Sequence, residues 1–202
     1  MSAAQHQAMA HGEEQSATAH AAQFDPAIEI ERGVCRGTRS ARALDVEVCW
    51  TSTTNPTATH LDERERHRKL AAAHRGASQA LKDAEARACA GLSENDRDMS
   101  PFAHREDIAQ VEVTAGGATI LFKATPGLTA QSLQRVVDCH VARNAALGND
   151  VPEMLYCPLV LKTVKVRAEQ RDAGVAVEVT SNDVAVSKEI GRRVQGLTAR
   201  RP

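Results

Sequence analysis

The chain has 202 residues, of which 42% are hydrophobic, 25% charged and only 2% aromatic, with a net charge of -1 and a pI near 6.7. That length holds one domain or two small ones, and a core poor in aromatics must rest on Val, Leu, Ile and Ala. The near-neutral balance excludes the basic footprint of a nucleic-acid binder, and no apolar run of about 18 residues is present to span a membrane.

Residues 1–23 lack the basic start and apolar run of a signal peptide. They read as a disordered tail of Ala, Gln, His and Ser. Its His6, Met9, His11 and His20 could capture soft metals weakly. The stretch fits a mature exported protein, periplasmic or secreted, with a cytoplasmic chain as the alternative. Residues 24–59 read as a β-hairpin-like segment and linker. Ile28, Ile30, Val46, Val48 and Trp50 alternate at period two, Gly33–Ser40 is the expected turn, and Asn55-Pro56 lies in a Thr-rich linker. Cys35 and Cys49 could meet across this unit. In an oxidising compartment a disulfide between them is expected.

Residues 60–107 divide into a long helix and a charged connector. The helix, 61–91, is rich in Ala, Arg, Glu and Lys, with Asp62 and Glu63 at its electropositive start. A heptad trace puts His60, His67, His74, Leu81 and Ala88 on one line, beside Leu70, Ala77 and Ala84. The histidines therefore follow the seam of the helix. Seven residues span about 10.5 Å, too far for two of them to share one ion. The same helix is a candidate docking surface for a protein partner. In the connector, Ser100-Pro101 predicts a short helix start. Asp96, Asp98, His104 and Asp107 there lack any recognised metal-loop spacing and read as structural.

From 108 to 198 the pattern is β-β-α-β-β-α, with an internal echo of one unit repeated. Strands are expected at Gln110–Thr114 and Ala118–Thr125 around Gly116-Gly117, and at Leu159–Glu169 and Val175–Thr180 around Asp172-Ala173-Gly174. Helices are expected at Thr129–Leu147, stopped by Gly148, and at Val184–Leu197. The fold class is α+β: a long helix in the N-terminal half, then an antiparallel sheet with helices on one face.

Chemistry is concentrated in this last region. The chain has no glycine-rich phosphate loop, nucleophile elbow, His-x-x-x-His or Cys-x-x-Cys. It does carry Cys139-His140 on the helix and Met154-x-x-Cys157 in the loop that follows. The apolar line Leu133, Val136, Val137, Val141 puts Cys139 and His140 at or beside the face that meets the sheet. The loop, stiffened by Pro152 and Pro158, is long enough to bring Met154 and Cys157 back to them. Thiolate, imidazole and thioether suit Cu(I) or zinc, so Cys139, His140, Met154 and Cys157 are the candidate metal ligands of a non-enzymatic, copper-like binding protein. Two alternatives use the same residues: a thiol redox protein or peroxidase working through Cys139 and Cys157, and a structural or interaction module in which they form a disulfide. The strand-helix order loosely resembles ferredoxin-like metallochaperones, whose Met-x-Cys-x-x-Cys loop is absent here. Cys139 on a helix faintly resembles organic-hydroperoxide-reducing thiol proteins, whose second cysteine follows further strands, whereas Cys157 precedes the second hairpin. No residue role is carried over from either family.

Overall fold

The computed structural model describes residues 1–40 and 43–198, with side chains for all of these except 38–40 and 43–46. In chain order the elements are α1 (Ala3–Gln23), β1 (Ile30–Ser40), β2 (Ala43–Thr54), α2 (Thr59–Ala88), α3 (Glu94–Asp98), β3 (Ile108–Thr114), β4 (Gly117–Lys123), α4 (Ala130–Ala146), β5 (Lys165–Arg171), β6 (Gly174–Thr180) and α5 (Val184–Thr198). Short 3-10 turns lie at Pro101–Ala103, Arg105–Asp107, Pro152–Met154 and Pro158–Val160. The chain divides into two compact units: Ala8–Arg75, and Met1–Gln7 with Gly76–Pro202.

In the first unit, α1 replaces the expected disordered tail. The reason is a heptad of small residues rather than an apolar stripe. Ala10 and Ala17 are buried on α1, and Ala71 is buried on α2. Alanine has high helix propensity, and its small side chain lets two backbones approach closely. The two helices run antiparallel, since His20 meets His60 while Glu13 meets His67 and Glu14 pairs with Arg75. β1 and β2 form a two-stranded antiparallel sheet closed by a Cys35–Cys49 disulfide, as the spacing leads one to expect. Strand geometry covers the whole of the expected Gly33–Ser40 turn, because β1 runs on to Ser40. The side chain of Val46 lies outside the described residues.

The second unit is the α+β layer. Its sheet has the order β3-β4-β6-β5, antiparallel throughout, with α5 packed against β3 and β4 and α4 against β5 and β6. Register puts Ala118 opposite Val179, Ile120 opposite Val177 and Phe122 opposite Val175. All six are buried in one cluster with Leu133 and Val137 of α4 and Ile190, Val194 and Leu197 of α5. Both helices therefore cover the same face. Thr129 caps α4 in a reciprocal box with Ser132. The strand expected from Leu159 begins only at Lys165, because Pro158–Val160 forms a 3-10 turn and Thr163 adopts a positive φ of 61°.

The echo in the sequence is a structural repeat. Each strand of the second pair lies 57 residues after its counterpart: β3 and β5, β4 and β6. Gly117 and Gly174 both take positive φ, 153° and 142°, where a Cβ would collide with the facing strand's carbonyl, Val179 O and Phe122 O respectively. The facing pair Ile120 and Val177 also stands 57 apart in sequence, so a pseudo-twofold axis passes through it.

Candidate metal centre

The four residues predicted as a site do not share one role. Cys139 is buried and joined by a disulfide to Cys89, near the end of α2, not to Cys157. This corrects the expected Cys139–Cys157 bridge. The partner sits 50 residues upstream, beyond the reach of any local spacing argument. His140 is buried, and its Nε2 lies 3.0 Å from the Asp96 carbonyl. Burial lowers its pKa, partly offset by hydrogen bonds to the Asp96 and Met99 backbone, so the neutral ring donates. Met154 lies in a 3-10 turn, partly buried against the core. Cys157 is a buried free thiol, and its pKa is pushed up by desolvation.

The repeat accounts for Cys157. Ser100-Pro101-Phe102 and Cys157-Pro158-Leu159 are 57 residues apart and each opens a 3-10 turn, with Phe102 and Leu159 fully buried. The two equivalent polar side chains meet: Ser100 Oγ lies 3.2 Å from Cys157 Sγ. Arg193, tied to Glu189, donates to the Cys157 carbonyl at 2.9 Å. The thiol thus fills the hydroxyl's position in the second copy of the motif. The other four cysteines are in the two disulfides, so Cys157 has no thiol to exchange with.

Among the described residues, three groups bring at least three ligand atoms within 4.8 Å of one another. Cys35, Glu47 and Cys49 have their sulfurs committed to a disulfide. His104, Glu106 and Asp107 are exposed, at the start and within the 3-10 turn Arg105–Asp107. The third group, His20, Glu63 and His67, is half-buried and spans the α1–α2 seam of the first unit. His20 comes from α1, and Glu63 and His67 stand one helical turn apart on α2, where residues four apart share a face.

Local hydrogen bonds define the chemistry of this group. Arg66 Nη2 lies 3.1 Å from His67 Nε2. A guanidinium only donates, so Nε2 carries the lone pair and the proton is on Nδ1. Nδ1–H then donates to Glu13 Oε2 at 2.5 Å. A carboxylate behind an imidazole in this way fixes the tautomer and ring orientation of metal-ligating histidines. Arg66 also reaches Glu63 at 2.7 Å, and that hydrogen bond holds the Glu63 carboxyl below its usual range. His20 Nδ1 lies 3.1 Å from His60 Nδ1, and its ring stacks on His67 with centroids 5.4 Å apart.

A heptad reading of α2 alone finds His60 and His67 on the seam but rejects a shared ion, because along one helix they are too far apart. What it misses is α1, which delivers His20 between them. Histidines at positions 6 and 20, two heptads apart in a stretch with alanine every seventh residue, are the signal that finds it. No family model matches the chain, and no curated protein or solved structure does so either.

Proposed function

We propose that the protein is a non-enzymatic metal-binding protein, and that its ion is held by His20, Glu63 and His67 in the α1–α2 seam. The observation that carries this reading is the convergence of two imidazoles and a carboxylate from two helices within 4.8 Å, half-buried. Two imidazoles and a carboxylate suit Zn(II) or Cu(II), and no thiolate is there to favour Cu(I). Arg66 bridges Glu63 and His67 Nε2, where a cation would sit. Its side chain is 56% exposed, so the ion displaces it into solvent. Two disulfides fit an exported protein, since such bonds persist in oxidising compartments.

The copper-like set Cys139, His140, Met154 and Cys157 is supported less well, because a Cys139 thiolate requires its disulfide to be reduced. A second reading has one observation in its favour. Arg66 already satisfies Glu63 and His67, as it would in an interaction module whose histidines only clamp two helices.

Titration of the oxidised protein with Zn(II) against a chromophoric chelator separates these readings. About one equivalent is expected, with affinity lowered at least tenfold in His67→Ala and in Glu63→Gln. Unchanged uptake in a His20→Ala/His67→Ala protein refutes the seam site. Uptake that appears only after reduction, and is lost in Cys139→Ser, favours the thiolate set. No uptake in either state leaves the interaction module.

A further inference from the structure

The β1–β2 hairpin sorts its side chains by chemistry between its two faces. Cross-strand partners share a face, and alternate residues along a strand share one too. Ile30, Arg32, Val34 and Arg36 of β1 stand opposite Thr54, Ser52, Trp50 and Val48 of β2. One face is therefore apolar and cationic. The other carries Glu31, the Cys35–Cys49 disulfide and Glu47. On the first face Ile30, Val34, Val48 and Trp50 are each 38 to 53% exposed, although they are among the larger apolar side chains of the chain.

From this arrangement we infer that the face is a docking surface for an anionic lipid membrane. The charge pattern selects the occupant. Among the residues just named, the apolar face has two guanidinium groups and no carboxylate, while both acidic groups project to the opposite side. A second copy placed face to face would bring four guanidinium groups together without a counter-charge. A membrane surface suits the mixture: arginine stems lie along apolar surface with their heads among lipid phosphates, and tryptophan favours the interfacial zone. The disulfide fixes the hairpin beforehand, so little ordering is lost on contact. The hairpin lies in the headgroup layer, where water and phosphates can satisfy strand edges that pair with no other strand in the described sheet.

Trp50 is the only tryptophan, so its emission reports on this face alone. The full-length oxidised protein is mixed with phosphatidylcholine vesicles, with or without 30% phosphatidylglycerol (roughly the anionic fraction that gives strong surface attraction), and followed by co-sedimentation and fluorescence. Binding to the anionic vesicles with a blue shift of Trp50 is expected, and little binding to the neutral ones. Each arginine contributes about fivefold at an anionic surface, so Arg32→Gln/Arg36→Gln should lose at least tenfold in partitioning. Both substitutions are at exposed positions, and circular dichroism checks that the fold is kept. Equal binding to neutral and anionic vesicles, or sedimentation without a Trp50 shift, overturns the inference. So does a shift produced by polyglutamate or duplex DNA and not by vesicles.

Discussion

The two units place histidine and cysteine in opposite physical settings. In the α+β unit Cys139, His140 and Cys157 are sealed, and His104 alone of its histidines beyond residue 76 is exposed. His140 and Cys157 are almost fully buried, the Nε2 of the one against the Asp96 carbonyl and the Sγ of the other against the Ser100 hydroxyl. In the unit formed by 8–75 they are half-exposed and face one another. His20, His60 and His67 meet Glu13 and Glu63 across a seam whose buried residues are alanines. The core of the first kind is aliphatic and needs its polar groups neutral and paired. The seam of the second kind leaves titratable groups within reach of solvent and of an ion. Ligand type alone points to the sulfur-bearing region; the seam site proposed above rests instead on burial and pairing, which leave its histidines the more accessible ligands.

The largest expected difference between the units lies in their disulfides. Cys89–Cys139 closes 50 residues and Cys35–Cys49 closes 14. By the loop-entropy model these stabilise by about 4 and about 3 kcal/mol. Cys89→Ser/Cys139→Ser should therefore lower the denaturation midpoint of the α+β unit markedly. Cys35→Ser/Cys49→Ser should leave that unit unchanged while loosening the hairpin. Chemical denaturation read by far-ultraviolet dichroism, with Trp50 fluorescence reporting the hairpin, distinguishes the two. Equal loss of α+β stability in both variants would contradict the separation.

A smaller effect should appear with pH. Burial lowers the pKa of His140, so the folded state holds a neutral ring while the unfolded chain takes up a proton near pH 6.5. The unfolded state then binds more protons, and stability falls as pH drops below about 6.5; above it the contribution is complete. Glu189, held at about 2 by hydrogen bonds from Arg192 and Arg193, loses its contribution only in more acid solution, below the ordinary carboxylate range. Comparing His140→Gln with the parent between pH 5 and pH 7.5 (about one unit or more either side of the imidazole value) isolates the ring from the seam histidines. Parallel stability curves for the two proteins would remove His140 from this account.

Much of the α+β unit is legible because its signals are local. Gly116-Gly117 and Gly174 mark the hairpin turns, Thr129 caps α4, and apolar alternation reports the sheet face. The long helix at 61–91 is found at Thr59–Ala88 for the same reason. What escapes is non-local. Cys89 is tied to Cys139 by tertiary proximity, and α1 is stabilised by a partner helix rather than by an apolar stripe of its own. His20 therefore reads as a loose polar residue until α2 lies beside it. The Leu159 segment misleads differently: Leu159 and Val160 look like strand residues, but they are buried in a proline-initiated turn.

The repeat supports the finest test of whether Cys157 is chemical or architectural. If its role is to occupy the position that Ser100 occupies in the first copy, then Cys157→Ser should be nearly neutral, within about 1 kcal/mol. The hydroxyl can still exchange a hydrogen bond with Ser100 across the axis, where the present separation is 3.2 Å. Cys157→Ala should cost more, about 1–2 kcal/mol, because it removes one partner of the buried Ser100 hydroxyl and leaves a small void. Ser100→Ala should cost at least as much, because it also removes the acceptor of the Phe102 N–H, and Ser100→Ala/Cys157→Ala should cost less than the sum of the two single changes, since their shared contact is lost only once. A redox or metal role for the thiol predicts no such ordering: serine would be as damaging to metal uptake as alanine, and Ser100→Ala would leave uptake untouched. A double-mutant cycle on Ser100 and Cys157, read by denaturant midpoint and by Zn(II) uptake together, separates the two accounts, because only the architectural one couples the residues in stability while leaving uptake unchanged.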